Sequence, residues 1–465
     1  MDKIKQVLSN SIFMPIILTL GFIGWFLGIY QFTLPLLGLF SFFVLIFCDD
    51  PKNIFPIILM FGMFVPSHPT ISDYIVITIS VLIAIIGAIY FTIKQFVLKR
   101  QMRKGKMFWA FIVELIVLLL GGIIGHFNIL HSLLVFAFVL LTYFIYWLSI
   151  NFTQNLKMFL FYSFIAMGFI LTAQILISYA FVDDTFFNAI SSKNIFTIGL
   201  ININMVAIYT TLATISAFAL GYKHKRDYLF ILLGMFFALV TYFTYSRICT
   251  LICFLALVGL IIFTFIKSNN KKILLITGGT FLLIAGIFVG IYFEEVSYLL
   301  TYPLKMGISG NGRETLWPWC WEQFVENPIF GVGFVSEDAP VPGGYRVSSI
   351  ILAHNTVLQY LTSTGVVGTI IITYFYFKKY KTLCEHFSIV KLFNLVGIIA
   401  IALTGITDKA PTMDIFIVLI SVLLISTSEI DTEMNKGQFP APKTRITKPR
   451  KTTPIKKTHK EKEEA

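Results

Sequence analysis

Charge is what this sequence has least of. Of 465 residues only 13% are Asp, Glu, Lys or Arg, against 57% hydrophobic and 16% aromatic. A soluble surface for a chain of this length needs about a quarter of its residues charged, so a water-soluble fold is excluded. Cysteine is scarce as well. Of the five, Cys48, Cys249, Cys253, Cys320 and Cys384, only Cys320 falls in a sizeable loop, which argues against an external disulfide scaffold. Cys249 and Cys253 stand one helical turn apart with no His or further Cys beside them, so small packing residues are expected there and not a metal site. An internal repeat of the kind that marks many transporter folds is also missing.

What the chain has in abundance is apolar runs near 20 residues long, recurring from Ser11 to Ser428. Each is long enough to cross a hydrocarbon core of about 30 Å as a helix. The runs predict helices over 11–28, 30–48, 54–66, 74–94, 107–125, 133–150, 158–181, 201–221, 228–245, 248–266, 273–293, 356–377, 392–407 and 415–428. The expected fold is an all-α polytopic membrane protein with 12–14 spans and one large external loop. The first two helices form a hairpin around Tyr30. The segment 54–66, short and holding Pro56, is expected to be tilted or re-entrant. The first apolar run lacks a small-residue cleavage site and is expected to be a retained helix. The expected divisions are residues 1–293 in the membrane, 294–355 as the external loop, 356–428 in the membrane and 429–465 as a disordered basic tail.

The net charge of +12 does not make this a nucleic-acid binder, because the basic residues sit in short clusters between apolar runs. With the N-terminus inside, Lys94 to Lys106, Lys223 to Arg226, Lys267 to Lys272, Lys378 to Lys381 and the tail from Lys436 all face the cytoplasm. The tail, rich in Lys, Pro and Thr, buries no core. It is either simply solvated or drawn to anionic lipid headgroups by up to about 1 kcal/mol per basic residue near the surface. Within the helices, Glu114 and Gln174 are polar groups that mark either structural contacts or a proton or substrate path.

That orientation leaves only Arg247, Arg313, Arg346, Lys193, Lys305 and Lys409 as external basic residues. Arg247, in Thr244-Tyr-Ser-Arg-Ile248, lies at the outer end of a short hairpin, where a cation either meets a lipid phosphate or snorkels as an interfacial anchor. In the long loop, Trp317, Trp321 and Phe324 recur at i, i+4, i+7 and predict a short amphipathic helix on the membrane surface, with Pro318 in its first turn and Asn327-Pro328 at its end. Its aromatics suit an interfacial belt or contact with a lipid tail or sugar ring. His354 precedes Asn355, a good N-cap, and so stands at the outer N-terminus of a membrane helix. There the helix dipole favours the neutral ring that a general base requires, and the same helix end attracts an anionic phosphate. A polar cap is the competing reading.

Taken together and in order, Ser246-Arg247 opening a helix, Arg313 with Trp317 four residues on, Asn327-Pro-Ile-Phe-Gly-Val-Gly333, His354-Asn355-Thr-Val-Leu-Gln359 and Gly365-Val-Val-Gly368 resemble the O-antigen ligase/polymerase superfamily. Asn202-Ile-Asn204 adds a fainter echo. The resemblance spans roughly Tyr245 to Tyr374. It implies glycan transfer from a polyprenyl-diphosphate carrier to an acceptor hydroxyl on the outer face of a bacterial inner membrane, without a cofactor. Carried over, Arg247 and Arg313 hold the diphosphate leaving group and His354 takes the acceptor proton. Arg346, Asn355, Trp317 and Trp321 are further candidates for donor or acceptor contact. Arginine pairs bidentately with phosphate in a low-dielectric site without a metal, and no Asp-X-Asp occurs in the chain to hold a metal–nucleotide complex. The external acids Asp183, Asp184, Glu337 and Asp338 either orient sugars or the histidine or, as expected of solvated loop charges, are inert.

The implied partners are a lipid-linked oligosaccharide, membrane lipids and other polysaccharide-assembly proteins. The expected activity is polymerisation of repeat units into a surface polysaccharide, by a single displacement that inverts the anomeric carbon. A ligase that moves finished glycan to lipid A core or protein is the alternative, and a lipid-linked glycan flippase is the second. The Lys, Ile and Phe bias hints at a Gram-positive cell without lipid A, which favours the polymerase.

Overall fold

The computed structural model describes residues 2–66, 69–98, 102–124, 129–181, 198–199, 203–224, 227–268, 271–294, 296–297, 313–333, 346–347, 350–351, 353–406 and 415–435. The helices in chain order are α1 (Asp2–Ser9), α2 (Phe13–Phe26), α3 (Tyr30–Phe47), α4 (Ile54–Met60), α5 (Ile71–Val97), α6 (Phe108–Ile124), α7 (Ile129–Phe152), α8 (Leu156–Ala180), α9 (Ile203–His224), α10 (Asp227–Phe243), α11 (Arg247–Lys267), α12 (Lys271–Ile291), α13 (Arg313–Glu326), α14 (Thr356–Cys384), α15 (Ile389–Thr404) and α16 (Ile415–Asn435). Among the described residues, nine helices, α3, α5, α7, α8, α9, α11, α12, α14 and α16, are long and apolar enough to cross a bilayer. The pair α1 and α2 is bent by 75°, and Ile54–Met63, α6, α10 and α15 hold shorter apolar stretches. The chain is a multi-pass, all-α membrane protein, and each of the fourteen expected segments has a helical counterpart. The strand pairing among the described residues is the two-residue antiparallel match of β1 (Arg346–Val347) with β2 (Ile350–Ile351).

Hydrogen bonds between turns separate the two faces of the bundle. On one, Asn53 donates to the carbonyls of Leu8 and Asn10, Arg103 to Ile150, and Lys106 pairs with Glu385. On the other, Tyr179 donates to the carbonyl of Phe243, Ser246 to Asn204, and Asn355 to Ile406. This up-and-down alternation follows from the short connections, which leave consecutive helices antiparallel. The element α9 is the centre of the bundle, with 89% of its apolar window buried among α8, α10, α11 and α15. The expected tilted segment is a half-length helix, α4, continued by a single 3-10 turn over Phe61–Met63. It is buried, and two of its backbone carbonyls are bonded from neighbouring helices: Tyr209 donates to Leu59 (2.6 Å) and Gln174 to Met63 (3.1 Å). Gln174 thus has a structural contact, since irregular backbone at membrane depth needs protein partners.

Two of the boundaries that differ from expectation bring charged residues into helices. Helix α14 runs on from the expected 377 to Cys384, with Lys379 buried near Glu114 of α6. The last helix continues past 428 to Asn435, so the polar stretch from 429 begins as helix and not as tail; 436–465 lie outside the described residues. Its charges are paired with groups far away in sequence. Glu429 accepts from Tyr146 (2.5 Å) and from the Lys106 amide, Asp431 from Lys157 (2.7 Å) and Ser388 (2.8 Å), and buried Lys391 donates to Thr432 and to the Glu385 carbonyl. Buried charge is tolerated where it is paired and hydrogen-bonded in this way.

Candidate active site

His354 follows fully buried Ala353 and precedes Asn355, the N-cap of α14, and its backbone is left-handed, with φ of +49°. That conformation is uncommon for a residue with a side chain. Contacts on both sides hold it. Before it, the Ala353 amide donates to Gln359 Oε1 (2.8 Å) and the Ala353 carbonyl accepts from Trp317 Nε1 (3.0 Å). After it, Asn355 is the expected N-cap: its Oδ1 accepts from the amides of Val357 and Leu358, both at 3.0 Å, and its Nδ2 donates to the Ile406 carbonyl at 3.0 Å. The Asn355 amide is therefore engaged at both ends.

Arg313 opens α13 and is half-buried. The helix starts earlier than expected, which puts Pro318 in its interior and not in its first turn. Proline there removes one amide from the helical ladder. Leu316 and Cys320, one turn apart, are fully buried against Ala353, with Trp317, Trp319, Val332 and Leu358 packed around them. Burial pushes the Cys320 thiol up to about 11. The expected aromatic stripe divides. Trp317 turns inward to Ala353, whereas Trp321 is 53% exposed and its ring pairs with Phe324 at 5.3 Å.

After Glu326 the chain, Asn327 to Gly333, docks against a break in α14. The break is at Gly365 (φ +60°, ψ −163°), a conformation open essentially to glycine alone. The amides of Val332 and Gly333 donate to the carbonyls of Thr362 (2.8 Å) and Ser363 (3.0 Å), and those of Val366 and Val367 donate to Pro328 (2.9 Å) and Ile329 (3.2 Å). A Cβ on Gly365 would strike the Ile329 and Phe330 backbone, and one on Gly331 would strike that of Thr362 to Thr364. Thr362 also donates to the Cys320 carbonyl (3.0 Å). Arg313 and His354 thus belong to one interlocked unit: α13, the 327–333 loop and the first turns of α14.

Arg247 opens α11 and is exposed. The turn before it is fixed by Tyr245 at φ +56° and by Ser246, whose hydroxyl donates to Asn204 in the first turn of α9 (2.6 Å). Helix α15 connects this hairpin with the His354 unit. Its C-terminal end receives the Thr356 amide at the Gly405 carbonyl (2.8 Å) and Asn355 at Ile406, while its body packs on α9 and α11. A small apolar cavity, with room for no more than about one water, lies between these helices, lined by Ile208, Thr211, Leu212, Cys249, Ile252, Gly397, Ala400 and Thr404. It starts two residues beyond Arg247 and reaches the α15 end that holds Asn355.

Arg346 is in β1, and its side chain is outside the described residues, as are Lys193, Lys305, Lys409, Asp183, Asp184, Glu337 and Asp338. Sequence reasoning missed Gln359, Ala353 and the Gly365 break as parts of the site. Gln359 stood in the motif after His354, but its spacing alone did not show that its side chain reaches back past the cap. No curated protein matches the chain. Residues 230–373, from α10 into α14, match the O-antigen ligase family. This stretch holds Arg247, Arg313 and His354, and its match supports the resemblance to the O-antigen ligase/polymerase superfamily.

Proposed function

We propose that the protein transfers a glycan from a polyprenyl-diphosphate carrier to an acceptor sugar hydroxyl, polymerising repeat units of a surface polysaccharide. The observation that carries this reading is the fixed left-handed His354 at the start of α14, locked to the helix that Arg313 opens, inside the segment that matches the O-antigen ligase family. In the proposed step the His354 imidazole takes the acceptor proton and the acceptor oxygen attacks the anomeric carbon. The bond from that carbon to the diphosphate oxygen breaks, its electron pair leaves on the lipid diphosphate, and the anomeric configuration inverts. Arg247 and Arg313 pair with the charge that develops on the leaving oxygens, and the α14 N-terminus favours the same anion. Trp321, exposed beside the site, is a candidate contact for sugar or lipid, with Arg346 second to it. In this reading the His354 face is the outer face of a bacterial cytoplasmic membrane, with both termini inside.

A ligase that delivers finished glycan to another acceptor uses the same chemistry, and the name of the matched family favours it. Purified protein supplied with a polyprenyl-diphosphate oligosaccharide separates the two. A ladder of products identifies the polymerase, and single transfer to an added acceptor identifies the ligase. His354→Ala is expected to abolish transfer with the fold intact; undiminished transfer by that variant would rule out the base assignment.

A further inference from the structure

The peptide groups next to His354 are held by two side chains that have no further polar atom aimed at a substrate. Trp317 has one donor, its indole N–H, and gives it to the Ala353 carbonyl (3.0 Å). Gln359, 1% exposed, accepts the Ala353 amide at 2.8 Å and is itself oriented by donating to Ser363 Oγ at 3.0 Å. Both peptide groups of Ala353 are thereby bonded to side chains, one from α13 and one from α14. The following residue is left-handed, which a short chain segment does not hold unaided. We propose that Trp317 and Gln359 are positioning residues for His354, and that the Trp317 N–H ties the helix opened by Arg313 to the residue that takes the acceptor proton.

The proposal rests on the reading of His354 as the base. It differs from the surface roles that aromatic residues usually play beside a membrane. A belt or sugar-stacking tryptophan acts through its ring, and phenylalanine keeps most of that. A positioning tryptophan acts here through its N–H, and phenylalanine loses it. Because a general base must stay within hydrogen-bond reach of its proton, misplacement by about an ångström costs on the order of a hundredfold in rate. The cost falls on turnover and not on binding.

The test uses the full chain with Trp317→Phe and Gln359→Leu. One readout is the rate of His354 modification by diethyl pyrocarbonate, resolved by peptide mass spectrometry. The exposed, equally left-handed His386 between α14 and α15 is the internal control. The second readout is kcat and KM for transfer from the lipid-linked oligosaccharide. In both variants His354 modification is expected to change severalfold while that of His386 stays constant. Turnover is expected to fall about ten- to a hundredfold with KM within about twofold. Unchanged modification and unchanged turnover in Trp317→Phe would overturn the proposal, as would a raised KM at constant kcat, which would make Trp317 a substrate contact. Normal turnover in His354→Ala would refute the base reading separately, and the modification rates would still decide whether the two side chains hold the residue.

Discussion

Gly365→Ala is the sharpest test of how the site is assembled. The native backbone at φ +60° and ψ −163° costs any other residue about 1–3 kcal/mol. The added methyl also meets the Ile329 and Phe330 backbone. That loop cannot withdraw without weakening the bonds from Val366 to Pro328 (2.9 Å) and from Val367 to Ile329 (3.2 Å). At about 0.5–1.5 kcal/mol net for each, their loss adds about 1–3 kcal/mol. The expected destabilisation is therefore about 2–5 kcal/mol, measured by reversible unfolding in mixed micelles. Gly331→Ala, at φ +72° and against the Thr362 to Thr364 backbone, opens the same interlock from the other side. The double variant should then fall short of the sum of the singles by about 1–2 kcal/mol. Gly259, with nothing within 4 Å of its would-be Cβ, is the control. Alanine there should be neutral or stabilise by about 0.5–1 kcal/mol. If Gly365→Ala proves no more costly than Gly259→Ala, the interlock is not what holds the His354 unit together.

Asn355→Ala removes the acceptor for two α14 amides and the donor to Ile406. It should cost about 1–2 kcal/mol in the same unfolding assay, and an unchanged midpoint would mean that the cap carries no stability. Glu114 and Lys379, 8% and 6% exposed, lie within electrostatic reach of each other between α6 and α14. Glu114→Leu and Lys379→Met each remove one of the two opposite charges and are expected to destabilise the fold in that assay. The double variant should recover most of that loss, and strictly additive losses would show that the two are independent.

Hydropathy and spacing made the helices legible because a membrane span has to be both long and apolar, and that requirement is local. The caps were legible for the same reason: Asn355 and Asn327 act within one turn of themselves. The features that escaped depend on partners distant in sequence. Nothing near Gly365 reports that its carbonyl-rich break is filled by residues 327–333, although the glycines of both motifs were visible. Trp317 and Trp321 sit one turn apart on α13, yet only Trp317 meets Ala353, because the choice depends on where the start of α14 lies. The stretch after Ser428 looked like the beginning of a solvated tail because its acids were counted alone. Their partners, Lys106, Tyr146, Lys157 and Ser388, come from four other parts of the chain.

The arrangement also says which relation within the site is rigid and which is set by helix packing. Arg313 and His354 share one unit whose parts are joined by backbone bonds and by Trp317, so the distance between them is resistant to side-chain change elsewhere. Arg247 belongs to a different hairpin, fixed to α9 through Ser246 and Asn204. The two halves meet through α15, which gives its C-terminal carbonyls to Thr356 and Asn355 and packs its body against α9 and α11. At Gly397 the helices approach closely: a Cβ there would stand 3.0 Å from Leu212 Cδ2, so that side chain would have to shift to admit it. The spacing between the two arginines is therefore governed by helix contacts around the cavity, away from any residue of the proposed chemistry. That is why the membrane bundle, and not the external loop alone, constitutes the site.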